Sequence, residues 1–175
     1  PKFIPEPDMP GAEELLGLIH VSTFEKWEDV GKYYAGLIRD QLTVTDGIRN
    51  TLKEILKTVP KKNDRLAIVK AVYEFVISRT RYVGLEFGIH SFKPYPAHKV
   101  LSRRFGDCKD KASLMHVLLK EAGIDSALVL LRMKRHGSIS SSPASLSVFD
   151  HAILYVPEFD LFLDGTAEFH GPEEI

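Results

Sequence analysis

The sequence predicts an α+β domain, and three observations predict it. Helical periodicity fills the first half of the chain, short apolar segments fill the second, and no internal repeat links the two. The chain has 175 residues, 44% of them hydrophobic and 27% charged, which suits one soluble domain with its own core. A formal net charge of −1 makes no overall electrostatic case for nucleic acid or for a membrane surface. No apolar run approaches the ~18 residues of a membrane span, so no membrane insertion is expected of this chain. A single cysteine forms no internal disulfide and leaves the redox compartment open.

The elements follow in order. "PKFIPEPDMPG" is a Pro-rich lead-in, and a chain beginning Pro1-Lys2-Phe3 suggests a piece of a longer protein. "GLIHVSTF" reads as a short strand. Ser22 and Glu25 have the spacing of a capping box, announcing a helix with Trp27, Val30, Tyr34, Leu37 and Ile38 on its packing side. A second helix runs from near Asp46 to Val59 on the stripe Ile48, Leu52, Ile55 and Leu56, and Pro60 closes it. A third starts near Asn63-Asp64 with Leu66, Val69, Tyr73 and Val76 as its stripe. Glycines and prolines then punctuate a structured loop, with a short helix over Pro96 to Arg103. A helix beginning at Cys108 ends at Gly123, a residue suited to the left-handed turn after a helix. "SALVLLRM" is an apolar strand expected to be buried on both faces, and the Ser-rich "RHGSISSSPASLS" is mobile by composition. Two final strands, "HAILYV" and "LFLDG", flank a "PEFD" turn.

The chemistry starts at "RRFGDCKDKASLMHVLLKEAG". Asp107 is a good N-cap and Asp110 stands where the second partner of a capping box belongs, so Cys108 opens the helix. Unpaired N–H groups and the positive end of the helix dipole favour a thiolate there, below the ordinary thiol pKa of about 8.5. The same N–H groups can receive a developing oxyanion. Stepping along the helix from Cys108 reaches Ala112, Met115, Leu119 and Ala122, so the thiol equally suits a place in the core. Asp107 and Asp110 oppose a thiolate, whereas Arg103, Arg104, Lys109 and Lys111 assist it; position alone leaves filler and nucleophile both open.

A nucleophile needs a base, and seven histidines compete: His20, His90, His98, His116, His136, His151 and His170. His116 lies inside the cysteine's own helix, His98 in the preceding loop, and His136 in or beside the Ser-rich segment. His151 opens an apolar strand, a rigid platform for a base. A third group must orient it. If the last two strands pair tightly around "PEFD", His151 faces Asp164; a four-residue turn shifts the partner by two and keeps both on one face. A one-residue slip separates them.

Three blocks, "GDCKDKASLMHVLLKEAGIDSALVLL", "FDHAILYVP" and "LFLDGTAEF", resemble the signature blocks of the transglutaminase-like superfamily. The resemblance is closest to a bacterial branch in which a β-rich N-terminal domain precedes the transglutaminase-like core, and "STFEKWEDVGKYY" and "RYVGLEFGIHSFKPYPAHKV" are similar to its lead-in. It implies a papain-like cysteine-protease fold, with 1–22 as lead-in and last strand of a mostly absent domain and 23–175 as the catalytic domain. A closing strand would lie beyond the chain's end. It further implies Cys108 as nucleophile, His151 as base then acid, and Asp164 as imidazole orienter. Asp107, Lys93, Tyr82 and Tyr95 would be oxyanion or site neighbours, lysine standing at 93 where relatives often carry glutamine.

The reaction so implied is hydrolysis of an amide or peptide bond through a thioester, on a protein or peptide substrate, without cofactor or metal. The alternatives are acyl transfer to an amine and a noncatalytic interaction domain with a vestigial thiol. Scattered histidines around one cysteine give no metal-ligand spacing, and the local "KDK" and "SRR" charges read as a solvated rim rather than a nucleic-acid site. Flanking domains and an exported or periplasmic parent are implied by the resemblance alone.

Overall fold

The structure, a computed structural model, describes residues 19–61, 63–133 and 137–167. The chain divides into two compact units, one within 1–36 and 130–151, the other within 37–129 and 152–175.

In the larger unit the longer helices begin at caps that their sequence provides. Thr45 accepts from Ile48 N at 3.4 Å to start α2 (Asp46–Thr58), and Asp64 accepts from Ala67 N at 3.0 Å to start α3 (Arg65–Arg79). Such caps are each worth about 1 kcal/mol. Ile48, Leu52 and Ile55 on α2 join Val69, Val72, Tyr73 and Val76 on α3 in one core. Leu66, expected in that stripe, is instead 37% exposed at the start of α3. After α3 come β1 (Arg81–Tyr82), α4 (Ala97–Arg103) and β2 (Phe105–Gly106). β1 and β2 pair in parallel, with Arg81 N donating to Arg104 O and Val83 N to Gly106 O, both at 3.0 Å. This pairing was not legible in the loop sequence.

The helix α5 (Cys108–Glu121) runs through the middle of this core, touching α2, α3 and α4. Residues Cys108 through Met115 are all buried, including Lys109, Asp110 and Lys111. The expected solvated rim is therefore wrong for "KDK". The reason lies outside the helix, because neighbours packed on every side cover even the polar face. Gly123, at φ +73°, ends the helix as expected.

The three-stranded sheet has the order β3 (Ala127–Leu131), β4 (His151–Val156), β5 (Leu161–Leu163). β3 is half-buried to exposed rather than buried on both faces, since among the described strands it pairs on one side only. β4 and β5 are antiparallel, with Leu154 opposite Leu163, Tyr155 opposite Phe162 and Val156 opposite Leu161. Leu154, Val156, Leu161 and Leu163 turn to the core, while Tyr155 and Phe162 stack on the other face at 4.6 Å.

The smaller unit contains all but the last two residues of α1 (Trp27–Ile38). Ile19–Phe24 form no strand, and the rest of the expected strand lies outside the described residues. The capping box also fails: Ser22 accepts from Phe24 N at 3.1 Å in a local turn, and the helix starts later, at Trp27. A short serine side chain satisfies the nearer amide first. The Ser-rich segment is pinned, not loose, over 137–149. Trp27 Nε1 donates to Ser141 O at 2.9 Å, its ring meets Phe149 edge-on at 5.8 Å, and Ala144, Leu146 and Val148 are buried. Its serines serve as local caps, Ser145 accepting from Ser147 N at 3.3 Å.

Candidate active site

The site begins with the start of α5. Asp107 is fully buried and accepts from Asp110 N at 3.1 Å, while Asp110 returns a bond from Asp107 N at 3.3 Å. This is the expected capping box, with Cys108 as the first helical residue and 7% exposed. The flanking charges are consumed in pairs. Lys109 Nζ donates to Asp107, and Arg103 Nη2 donates to Asp110 at 2.7 Å. Each of these two pairs is neutral as a whole, and Lys111, one turn further on, is buried as well.

Asp110 does more than cap. Its Oδ1 accepts from Tyr95 N at 2.7 Å, which ties the loop before α4 to the first turn of α5. Arg103 then lies over the rings of Tyr95 and Phe105, at 4.3 and 4.6 Å, and His90 stacks on Tyr95 at 3.8 Å. Burial and the charge of Asp107 push the Asp110 carboxyl above its ordinary range, against the amides and guanidinium that hold it down. Gly106 is required here, since a Cβ would sit 2.6 Å from Asp110 Cβ.

Asp164 follows β5, in the same unit as Cys108. Its Oδ1 accepts from Thr166 N at 2.8 Å and from Thr166 Oγ1 at 2.7 Å. Its carbonyl accepts from the hydroxyl of the buried Tyr73 at 3.1 Å. Burial, then the Asp164 charge, raises the Tyr73 pKa and keeps that donor protonated. The next residue, Gly165, packs on α5: a Cβ there would lie 2.9 Å from Lys111 Cβ and 3.3 Å from Met115 Cε. These positions are three and seven residues after Cys108, on the same side of the helix. Gly165 thus supplies close approach to α5.

A family model describes the same stretch. The transglutaminase-like superfamily model matches residues 53–156, more than half of the chain. The chain belongs to the transglutaminase-like superfamily. That superfamily includes cysteine proteases and acyltransferases, and the α+β architecture agrees with it. Comparison with curated proteins gives no match. Among solved structures, the chain is similar to that of a putative protease from Parabacteroides distasonis, at 16% identity and a TM-score of 0.58. The match covers 75% of this chain and 25% of that one, so the chain spans about a quarter of that protein's length. At that identity the likeness speaks to fold.

Within this transglutaminase-like chain the remaining candidates fall as follows. The turn between β4 and β5 takes four residues, Pro157–Asp160, so the hairpin adopts the relaxed register. Carried one step on, it sets Ile153 opposite Asp164, and 151 has the parity of 153 along β4. His151 heads β4 and is half-buried. Tyr82 is 45% exposed on β1, directly opposite Gly106. Lys93 is half-buried, its amide on Ile89 O and its carbonyl on His90 Nδ1, each at 2.9 Å. His98 is exposed on α4. His116 Nδ1 lies 3.0 Å from Ser126 Oγ, and burial, then Lys120, lowers its pKa. His136 and His170 lie outside the described residues, and His20 is half-buried near the start of the smaller unit. Among the described residues no group of three or more metal-ligating side chains converges. No described helix is long and apolar enough to cross a membrane.

The sequence reading missed Thr166 and Tyr73 as parts of this arrangement, and it set Arg103 near the thiol without its bond to Asp110. Thr166 carried a signal, since Asp-x-Thr is the spacing of a side-chain turn. Tyr73 was indistinguishable from core. A groove of about 570 Å³ between α2 and α3, lined by Thr58, Glu74, Ser78, Arg79 and Arg104 among others, holds none of the expected site residues.

Proposed function

We propose that the chain is a thiol hydrolase of amide or peptide bonds, with Cys108 as nucleophile, His151 as base and acid, and Asp164 as orienter. The observation that supports it most directly is the packing of Gly165 on Lys111 and Met115, which brings the Asp164 turn onto the cysteine's own helix. In this reading the Cys108 thiolate attacks the carbonyl carbon, and the amide N–H of Cys108 donates to the oxyanion. The His151 imidazolium then gives its proton to the departing amine, leaving a thioester. Water, losing a proton to the imidazole, attacks the thioester and regenerates the thiolate. Tyr82, Lys93 and Tyr95 neighbour the acyl group, and the parent protein carries a β-rich domain before 1–22, with 23–175 as its catalytic part.

The test is iodoacetamide alkylation of Cys108 across pH, in the native chain and in His151→Ala. The reading requires fast alkylation well below pH 8 that depends on His151. A thiol that reacts only after denaturation would instead make this a noncatalytic member of the superfamily. A labelled amine offered with a glutamine-containing protein reads the acceptor: incorporation would replace hydrolysis by acyl transfer.

A further inference from the structure

The turn after β5 holds its aspartate with more contacts than a chain reversal needs. Asp164 Oδ1 accepts two hydrogen bonds from one residue, Thr166 N at 2.8 Å and Thr166 Oγ1 at 2.7 Å. Its carbonyl accepts two more, from Tyr73 on α3 at 3.1 Å and from Ala167 N at 3.3 Å. Gly165, wedged against Lys111 Cβ, stops the turn from moving toward α5. The carbonyl contacts fix the main chain. On the carboxylate, the two Thr166 donors converge on Oδ1 and give that oxygen a fixed direction.

A side-chain turn needs only the amide bond to Oδ1. The hydroxyl bond adds a second donor to the same oxygen, and bonds to an ionised carboxylate are about twice as strong as neutral ones. An aspartate that only caps a turn gains little from having both. An aspartate that must hold a fixed direction toward an imidazole gains a great deal, because the imidazole's tautomer and tilt depend on it.

We propose that Thr166 is a positioning residue of the thiol site, its hydroxyl and amide together setting the carboxylate of Asp164 to orient His151. The inference rests on the triad reading above. Thr166 acts through Asp164 and touches no reacting atom. The substitutions that separate its hydroxyl from its shape are Thr166→Val, nearly isosteric and without the hydroxyl, and Thr166→Ser, which keeps the hydroxyl and loses the methyl.

The experiment measures iodoacetamide alkylation of Cys108 from pH 5 to 9 in the native chain, Thr166→Val, Thr166→Ser and His151→Ala, with thermal unfolding of each. Losing one bond to a charged group slows alkylation at pH 6 by roughly tenfold in Thr166→Val, and Thr166→Ser restores it to within about twofold. Thr166→Val and Thr166→Ser melt at similar temperatures. The proposal is overturned if Thr166→Val keeps the native pH profile, if Val and Ser slow the reaction equally, or if the slowing tracks a fall in melting temperature. A native chain whose profile matches His151→Ala defeats the triad reading itself, and a changed native profile with an unchanged Thr166→Val defeats this inference alone.

Discussion

The buried pair Asp107–Lys109 gives the sharpest test of how the start of α5 is held. Asp107 is fully buried and Lys109 is 4% exposed, so neither charge has water to fall back on. Asp107→Asn keeps an N-cap, since asparagine caps as well as aspartate, but leaves the Lys109 ammonium buried without a counter-charge. Breaking a buried pair on one side costs about 3–5 kcal/mol. Asp107→Ala also loses the cap, adding about 1 kcal/mol. Against a total stability of about 5–15 kcal/mol, the alanine variant approaches unfolding at room temperature. The double variant Asp107→Asn with Lys109→Met removes both charges and should return to within about 1 kcal/mol of the native chain, because a packed apolar replacement of an ion pair is often neutral. Urea unfolding at pH 7 with shared m-values, applied to the native chain, Asp107→Asn, Lys109→Met and the double variant, yields the coupling between the two sites, with Asp107→Ala measured beside them. If Asp107→Asn costs less than about 0.5 kcal/mol, or the double variant is worse than either single one, the pair is not held as argued.

Three other outcomes follow from the same contacts. Gly165→Ala forces a Cβ to within 2.9 Å of Lys111 Cβ, a stem atom that cannot swing away, and overpacking of this kind costs about 1–3 kcal/mol, read by thermal or urea unfolding. The Asp110 carboxyl has its pKa raised on folding, so the folded chain binds more protons there than the unfolded one. Its contribution is complete below the ordinary carboxylate pKa of about 3.9 and is lost as pH rises through the folded value. Asp110→Asn should therefore flatten the fall in melting temperature across that window; an unchanged slope would remove Asp110 as its cause. Trp27→Phe loses the bond to Ser141 O, and limited proteolysis should then cut within 137–143 sooner than in the native chain. Equal cutting rates would mean the strap is held by its own buried residues.

The sequence alone determined the order of the main helices and of the last three strands, and the capped start of α5. It did so because caps, helix stops and strand alternation act over a few residues and are written in them. Asp107, Cys108, Asp110 and Gly123 all sit where local rules put them. The hairpin was half determined: strand alternation limited the registers, and the four-residue turn chose among them. Local rules misled where a nearer partner or a distant neighbour intervened. Ser22 turned to Phe24 N instead of capping α1, and Trp27 pinned a serine-rich segment whose composition suggested mobility. Only the tertiary structure decided that the charges after Cys108 are buried, that Arg103 serves Asp110, and that Gly165 meets Lys111. Burial of a charge depends on what covers it, and the covering groups come from residues far away in the chain.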